Sequence, residues 1–186
     1  MMGHNWFKDY FNLYKGLHIN NEVLDQLAEL KNLIEEKSLK NKIYIFGNGG
    51  SAAMASHVAV DFSKNAKTNM MTFNEYDHIT CLSNDYGFDK WVSKTLEMYA
   101  CNGDMVILIS SSGNSMNMVN AAMYAKKSNI DVVTFTGFDE QNRLKKLGDL
   151  NFWVNSRAYN IVEMIHQIWL LAVCDSIIGS AEYSAN

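Results

Sequence analysis

The sequence predicts an α/β fold in which helices cover both faces of a parallel β-sheet. Short β-rich runs alternate along the chain with longer segments whose apolar residues recur at helical spacing. Two of the β-rich runs end in turns of glycine or serine that lead directly into a helical segment. Strands that alternate with helices in this way are typical of a parallel sheet between two helical layers.

Length and composition predict one domain and exclude several classes of protein. The chain has 186 residues, of which 48% are hydrophobic and 19% charged, as in ordinary globular proteins. It contains no repeat, low-complexity tract or linker, so we expect residues 1–186 to form a single domain. The net charge of −4 gives no reason to expect a nucleic acid or an anionic membrane as partner.

The cysteines and the apolar runs predict a cytoplasmic protein. Three cysteines lie far apart without metal-binding spacing, which favours reduced thiols over a disulfide framework. No uninterrupted apolar run approaches the roughly 18 residues that a membrane span needs.

The N-terminal third predicts two helices and then the first strand and its helix. Residues 5–38 carry apolar side chains at helical spacing, with a break near residues 16–21, and form an N-terminal helical arm. Residues 42–46 (KIYIF) predict a strand, and residues 51–64 a helix for which Ser51 can serve as N-cap.

The rest of the chain repeats this order. It predicts three strands and two helices, at residues 105–110, 131–136, 151–154, 116–127 and 160–178 respectively. Residues 78–82 can supply one more strand.

Polar turns follow two of the predicted strands, at the sheet edge where open α/β proteins bind ligands. The first turn, residues 47–51 (GNGGS), has glycines that let the backbone approach a ligand and leads into a helix with free amide groups. The second turn, residues 110–115 (SSSGNS), offers hydroxyls and amides suited to a phosphate. Neither turn has the lysine of a P-loop or the spacing of a dinucleotide site, so we expect a small phosphorylated ligand and no nucleotide cofactor. The alternative is that these residues only cap helices.

The two turns, in this order, resemble the sugar isomerase (SIS) domain family, and within it the phosphoheptose isomerases. The likeness includes residues 47–57 (GNGGSAAMASH), 83–89 (SNDYGFD) and 109–117 (ISSSGNSMN) and covers nearly the whole chain. The resemblance implies a three-layer, flavodoxin-like (Rossmann-like) sandwich with a five-stranded parallel sheet. It also implies a homotetramer with active sites between subunits and the N-terminal helices in the interface.

The resemblance further implies which residues bind a sugar phosphate. The second turn would hold the phosphate, the first turn would line the sugar, and Asp85 would contact its hydroxyls or order the neighbouring loop. The predicted substrate-binding residues are Asn48, Gly49, Gly50, Ser51, Asp85, Ser110, Ser111, Ser112, Ser115 and Glu163.

The acid–base and metal-binding residues of the family are only partly present. An aldose–ketose isomerisation moves a proton between adjacent carbons and needs a base and an acid partner. The family places a His and a Glu on the helix after the first turn, and a Gln and a His on the last helix. These positions hold His57, Asp61, Glu163 and Leu171 here, or Leu170 in place of Leu171 if the match shifts by one residue. In either case a leucine can neither transfer a proton nor bind a metal ion.

His166 lies three residues after Glu163, on the same face of the last helix. We therefore expect Asp61 to be the base and either His57 or His166 to be the acid partner. His57, Asp61, Glu163 and His166 are also the predicted ligands of one zinc or other divalent ion. The alternative is that both histidines are structural, and that His166 packs beside Trp169 at a subunit contact.

Two functions fit these residues. The first is a sugar-phosphate aldose–ketose isomerase that resembles sedoheptulose 7-phosphate isomerase and supplies heptose for lipopolysaccharide or capsule. The second is a non-catalytic phosphosugar-binding SIS protein with a regulatory or protein-binding role, such as binding a replication initiator. Asp61 and Leu171 favour the second function, whereas the retained serines fit both.

Overall fold

Helices and strands alternate along the chain after an N-terminal helical pair. A computed structural model describes residues 2–16 and 19–184; Leu17 and His18, in the predicted break between the first two helices, lie outside the described residues. The helices are α1 (Met2–Asn12), α2 (Asn21–Ser38), α3 (Gly50–Lys64), α4 (Tyr76–Tyr86), α5 (Trp91–Tyr99), α6 (Met116–Lys127) and α7 (Tyr159–Ile178). The strands are β1 (Ile43–Phe46), β2 (Met70–Met71), β3 (Met105–Ser110), β4 (Asp131–Gly137) and β5 (Leu150–Val154).

The strands form one parallel sheet in the order β2-β1-β3-β4-β5. Ile43 of β1 pairs with Met70 on one side and with Met105 on the other. The five-stranded parallel sheet expected from the sequence is therefore confirmed. Because every strand points the same way, the carboxyl ends of β1 and β3 lie side by side, which brings the first and second turns to one edge.

Alternate side chains of the central strands enter two separate cores, one on each face of the sheet. Ile43 and Ile45 pack with α2, α3 and α7, whereas Tyr44 and Phe46 pack with α4, α5 and α6. Both faces are thus covered, as the continuous apolar runs of the strands predict, and the molecule is a three-layer sandwich.

The fifth strand is not where the sequence suggested. Residues 78–82 lie in α4, where Ile79 and Leu82 are three residues apart and both pack against the same core. The edge position is taken by β2, whose two residues are too few to give a periodic signal.

By length and composition, α7 would suit a membrane span, although its apolar residues are interrupted in the sequence. Its buried side chains, Ile161, Ile165 and Trp169 among them, instead belong to the core that α2 and α3 share. The apolar character of α7 is thus accounted for by packing inside the domain.

Candidate functional site

A cavity of about 320 Å³ lies where β1 and β3 end and α3, α6 and α7 begin. It gathers nine of the ten predicted substrate-binding residues, all except Asp85. Its lining consists of Asn48, Gly49, Gly50, Ser51, Ile109, Ser110, Ser111, Ser112, Ser115, Tyr159 and Glu163. Ile109 and Tyr159 were not predicted, because neither belongs to a polar motif.

The first turn brings bare backbone to this cavity. A side chain at Gly47 would place its Cβ 2.5 Å from the backbone of Ser51, so only glycine fits there. Gly49 has a φ of +55°, in the left-handed region that favours glycine. The N-cap of α3 is Gly49 and not Ser51, which the sequence suggested, and Gly49 has no side chain to bond the first amides of the helix.

The second turn presents hydroxyl groups. Ser115 is the N-cap of α6, yet its side chain makes no capping bond; its Oγ accepts a hydrogen bond from Ser110 Oγ at 3.1 Å instead. Ser112 Oγ accepts from the amide of Asn114 at 3.3 Å. Ser111 Oγ is buried and has no hydrogen-bond partner in the described chain. An unpartnered buried hydroxyl beside a cavity is suited to a ligand that brings an acceptor.

The electrostatic character of the cavity comes from three helix ends and the carboxylate of Glu163. The N-caps of α3, α6 and α7 (Gly49, Ser115 and Ala158) make no side-chain capping bond, and residues at the start of each helix line the cavity. Each helix N-terminus carries a partial positive charge of about half a unit. None of the lining residues is Lys or Arg, so a bound anion would be stabilised mainly by these dipoles and by hydroxyl groups.

An amide pair ties the two turns together. Asn48 Nδ2 donates to Asn117 Oδ1 at 3.0 Å, and Asn117 Nδ2 donates to Asn48 Oδ1 at 2.8 Å. Asn117 is 1% exposed and lies in the first turn of α6. Asn117 was not among the predicted site residues. The only signal for it in the sequence is its place as the last residue of the motif ISSSGNSMN.

The loop after β4 supports the second turn from outside. Gly113 has a φ of +64°, and a Cβ there would overlap the side chain of Asn142. Asn142 is buried and its Nδ2 donates to Thr136 Oγ1 at 3.2 Å and to the carbonyl of Asp139 at 2.8 Å. The amide of Leu144 donates to the carbonyl of Gly113 at 2.9 Å. The shape of the second turn therefore depends on this loop.

Comparison with known proteins assigns the chain to a family. The model of the SIS domain matches residues 6–137. The chain belongs to the SIS domain family. It is 32% identical to the phosphoheptose isomerase of Aliarcobacter butzleri over 164 residues, which cover 84% of this chain and 86% of the relative. It is 30% identical to the phosphoheptose isomerase of Sulfurimonas denitrificans over 177 residues, 91% of this chain and 90% of the relative.

A solved structure supports the same family assignment. The phosphoheptose isomerase of Neisseria gonorrhoeae superposes with a TM-score of 0.84 at 26% identity, covering 95% of this chain and 97% of that one. Within the SIS family, the chain groups with phosphoheptose isomerases, as its sequence motifs indicated.

In this SIS domain, α3 and α7 pack against each other and carry the remaining predicted residues. His57 Nε2 lies 3.2 Å from Asp61 Oδ2, and the side chains are 52% and 24% exposed. Gln167 Nε2 lies 3.1 Å from His57 Nδ1, so both ring nitrogens of His57 have partners. Neither His57 nor Asp61 lines the cavity.

The structure separates His166 from this pair. His166 is fully buried on α7, its Nε2 lies 2.9 Å from the carbonyl oxygen of Thr136, and its ring packs against Phe135 and Trp169. Burial lowers the pKa of His166 to about 4, so the ring is neutral at physiological pH. This placement corrects the expectation that His166 is an acid partner or a metal ligand. It also places His166 in the core of the domain and not at a subunit contact.

The donors present do not fit the four-ligand zinc site that the family implies. His57 and Asp61 adjoin each other, but His166 is turned into the core and Leu171 has no atom that can bind a metal ion. Across residues 2–16 and 19–184, no three His, Cys, Asp or Glu side chains come close enough together to hold a metal ion. We therefore derive no chemical step through zinc.

Asp85 lies outside the cavity, exposed near the end of α4. Its Oδ1 accepts a hydrogen bond from Asn84 Nδ2 at 2.9 Å. A larger cavity of about 550 Å³ lies beside edge strand β5, with Glu22, Asp149 and Trp153 in its lining. It contains no residue of the first or second turn, so the smaller cavity is the candidate site.

Proposed function

We propose that this protein is a sugar-phosphate aldose–ketose isomerase that converts sedoheptulose 7-phosphate into a heptose 7-phosphate. The observation that carries the proposal is the cavity in which both turns meet, in a chain related over most of its length to phosphoheptose isomerases. The product would supply heptose for lipopolysaccharide or capsule.

The second turn would bind the phosphate. Ser110, Ser111, Ser112 and Ser115 supply hydroxyl donors, and the first amides of α6 add the field of a helix N-terminus. Asn48, Gly49, Gly50 and Ser51 would then line the sugar. Asp85, outside the cavity, would order the turn after α4.

The isomerisation requires a group that removes a proton from one carbon and returns it to the next. Two carboxylates are available between α3 and α7. Asp61 and His57 form the acid–base pair that the sequence predicts. Glu163 is the carboxylate that lines the cavity.

We expect a cytoplasmic homotetramer with no nucleotide cofactor, in which the N-terminal helices contribute to the interface. The aromatic side chains of α1 support this assembly, because Trp6, Phe7 and Phe11 are exposed in the single chain. A second copy of the chain would remove this apolar area from water.

The test is to incubate the purified protein with sedoheptulose 7-phosphate and follow the aldose product by NMR. Unphosphorylated sedoheptulose is the matched control, since the proposal requires the phosphate for binding. Turnover of the phosphorylated sugar alone would support the proposal. Saturable binding without turnover would contradict it and favour the non-catalytic phosphosugar-binding function.

A further inference from the structure

Glu163 is the only carboxylate among the residues that line the cavity, and no Lys, Arg or His joins it there. It lies in the first turns of α7, near the helix N-terminus. Its carboxyl group rests against Gly50, where any side chain would overlap Glu163 Oε2. Because Gly50 has no side chain, the carboxylate of Glu163 has room beside the first turn.

The carboxylate of Glu163 forms no ion pair and no side-chain hydrogen bond in the described part of the chain. Burial raises the pKa of Glu163 above its ordinary value. A partly desolvated carboxylate without a partner is unfavourable for stability but well suited to accept a proton from a bound ligand.

Asp61 is less well placed for proton transfer. Asp61 lies on α3 and does not line the cavity. Its Oδ2 is within 3.2 Å of His57 Nε2, so one oxygen is engaged already. A seven-carbon sugar phosphate extends about 10 Å from phosphorus to C1, given single bonds of roughly 1.5 Å. A sugar whose phosphate lies at the second turn can therefore pass Glu163 within the same cavity.

We infer that Glu163, and not Asp61, is the base that carries the proton between C1 and C2, an inference that rests on the proposed isomerase function. The Glu163 carboxylate removes a proton from C1 of the ketose. The C–H electron pair forms the C1=C2 bond, and the carbonyl pair moves to O2, which takes a proton from water. When O1 gives up its proton to water and becomes the carbonyl, the protonated Glu163 returns its proton to C2. No electron is gained or lost overall.

This assignment departs from the family pattern described above. The family has an amide at the position of Glu163 and a catalytic carboxylate at the position of Asp61. In this chain the α7 position carries the carboxylate, and the α3 carboxylate is one methylene shorter. In this chain, the carboxylate that lines the cavity therefore lies on α7.

The test compares Glu163→Gln with Asp61→Asn, both isosteric amides, during turnover of sedoheptulose 7-phosphate in deuterated water. Glu163→Gln should lower kcat by about 10²- to 10⁴-fold, leave KM within about threefold, and slow deuterium incorporation at C1 and C2 by a similar factor. Asp61→Asn should lower kcat, and the rate of deuterium incorporation, less than Glu163→Gln does. Glu163→Asp should recover part of kcat, with a shifted acidic limb in the pH profile.

Unchanged kcat in Glu163→Gln, or a lower kcat and slower deuterium incorporation in Asp61→Asn than in Glu163→Gln, would overturn the assignment. Thermal unfolding and calorimetric binding of the sugar phosphate show whether Glu163→Gln is folded and binds. If the wild-type protein turns over and Glu163→Gln is equally active, only the role of Glu163 fails. If the folded wild-type protein binds the sugar without turnover, the isomerase function fails and this inference with it.

Discussion

Asn48 and Asn117 exchange two amide hydrogen bonds, of 3.0 and 2.8 Å, across the gap between the first and second turns. One residue lines the cavity and the other is buried at the start of α6. The pair therefore fixes the distance between the group that would hold the phosphate and the group that would face the sugar. A binding site held by paired amides needs no rearrangement when the ligand arrives.

Replacing Asn117 by alanine should destabilise the protein and weaken substrate binding. The change leaves the amide of Asn48 without its partner, which should lower the free energy of unfolding by about 1–3 kcal/mol. It also frees the two turns to move apart. Chemical denaturation and KM for the sugar phosphate measure the two effects. Asn32→Ala, an exposed asparagine of α2, is the control and should stay within about 0.5 kcal/mol of wild type.

A double-mutant cycle with Asn48→Ala tests the pair itself. If the amides interact as described, the two single changes should not add, and the double variant should lose less than their sum. Strict additivity would contradict a direct interaction between the two residues.

Ser112→Ala should weaken binding of the sugar phosphate with little effect on stability. The lost hydroxyl is one charge-assisted donor to the phosphate, on the order of 1.5–3 kcal/mol, or about 10- to 150-fold in affinity. Calorimetry with sedoheptulose 7-phosphate measures it. Ser128→Ala, at the other end of α6, is the matched control. An affinity for the sugar equal to that of wild type would count against phosphate binding at the second turn.

The stability of the protein should fall as the pH drops from about 6.5 to 4. His166 has a pKa of about 4 in the folded state, below the 6.5 of an unfolded histidine, so the unfolded chain binds the proton more readily. The stabilisation is present above pH 6.5 and is lost on acidification at up to about 1.4 kcal/mol per pH unit. Unfolding by urea across this range measures the slope.

The variant His166→Gln isolates that contribution. Its amide does not titrate but can still donate to the carbonyl of Thr136. The unfolding free energy should therefore change less with pH, by up to about 1.4 kcal/mol per pH unit. His4→Gln, an exposed residue of α1, should keep the wild-type slope. A slope in His166→Gln identical to that of wild type would show that other groups cause the acid sensitivity.

Leu171→His should raise the affinity for zinc. Because Gln167 contacts His57, the residue one turn further along α7 lies next to Asp61 in the parallel packing of the two helices. A histidine there would join His57 and Asp61, and metal titration should show a gain of about one zinc per chain. Ile168→His, on the exposed face of α7, is the control.

Adding His57→Ala to Leu171→His should remove the gained zinc. Two results would contradict this arrangement: one zinc per chain retained in the double variant, or equal zinc affinity in wild type and Leu171→His. Either would show that position 171 does not lie next to His57 and Asp61.

Most of the fold was predictable because its signals are local. β1 and β3 are apolar runs and β4 is a run rich in β-branched residues. All three are buried on both faces, and their predicted bounds agree with the structure to within a residue. β2 could not be predicted, since its two residues owe their conformation to pairing with β1 and not to a pattern of their own.

The site was predictable where glycine and serine mark a turn, and not where two side chains differ by a small rotation around a helix. Glu163 and His166 are three residues apart, which places them about 60° from each other around α7. That angle is enough for Glu163 to line the cavity while His166 enters the core. Helical spacing alone could not separate the two environments, because the orientation of α7 on the sheet is set by packing.

The contact between Gly113 and Asn142 has a consequence for how this enzyme can diversify. The side chain of Asn142 fills the space beside Gly113, whose backbone is in the left-handed region. A substitution at either position would therefore disturb the other residue. Exposed neighbours such as Glu140 are under no such constraint. New specificities should therefore arise by varying the tip of that loop, while Gly113 and Asn142 are inherited as a unit.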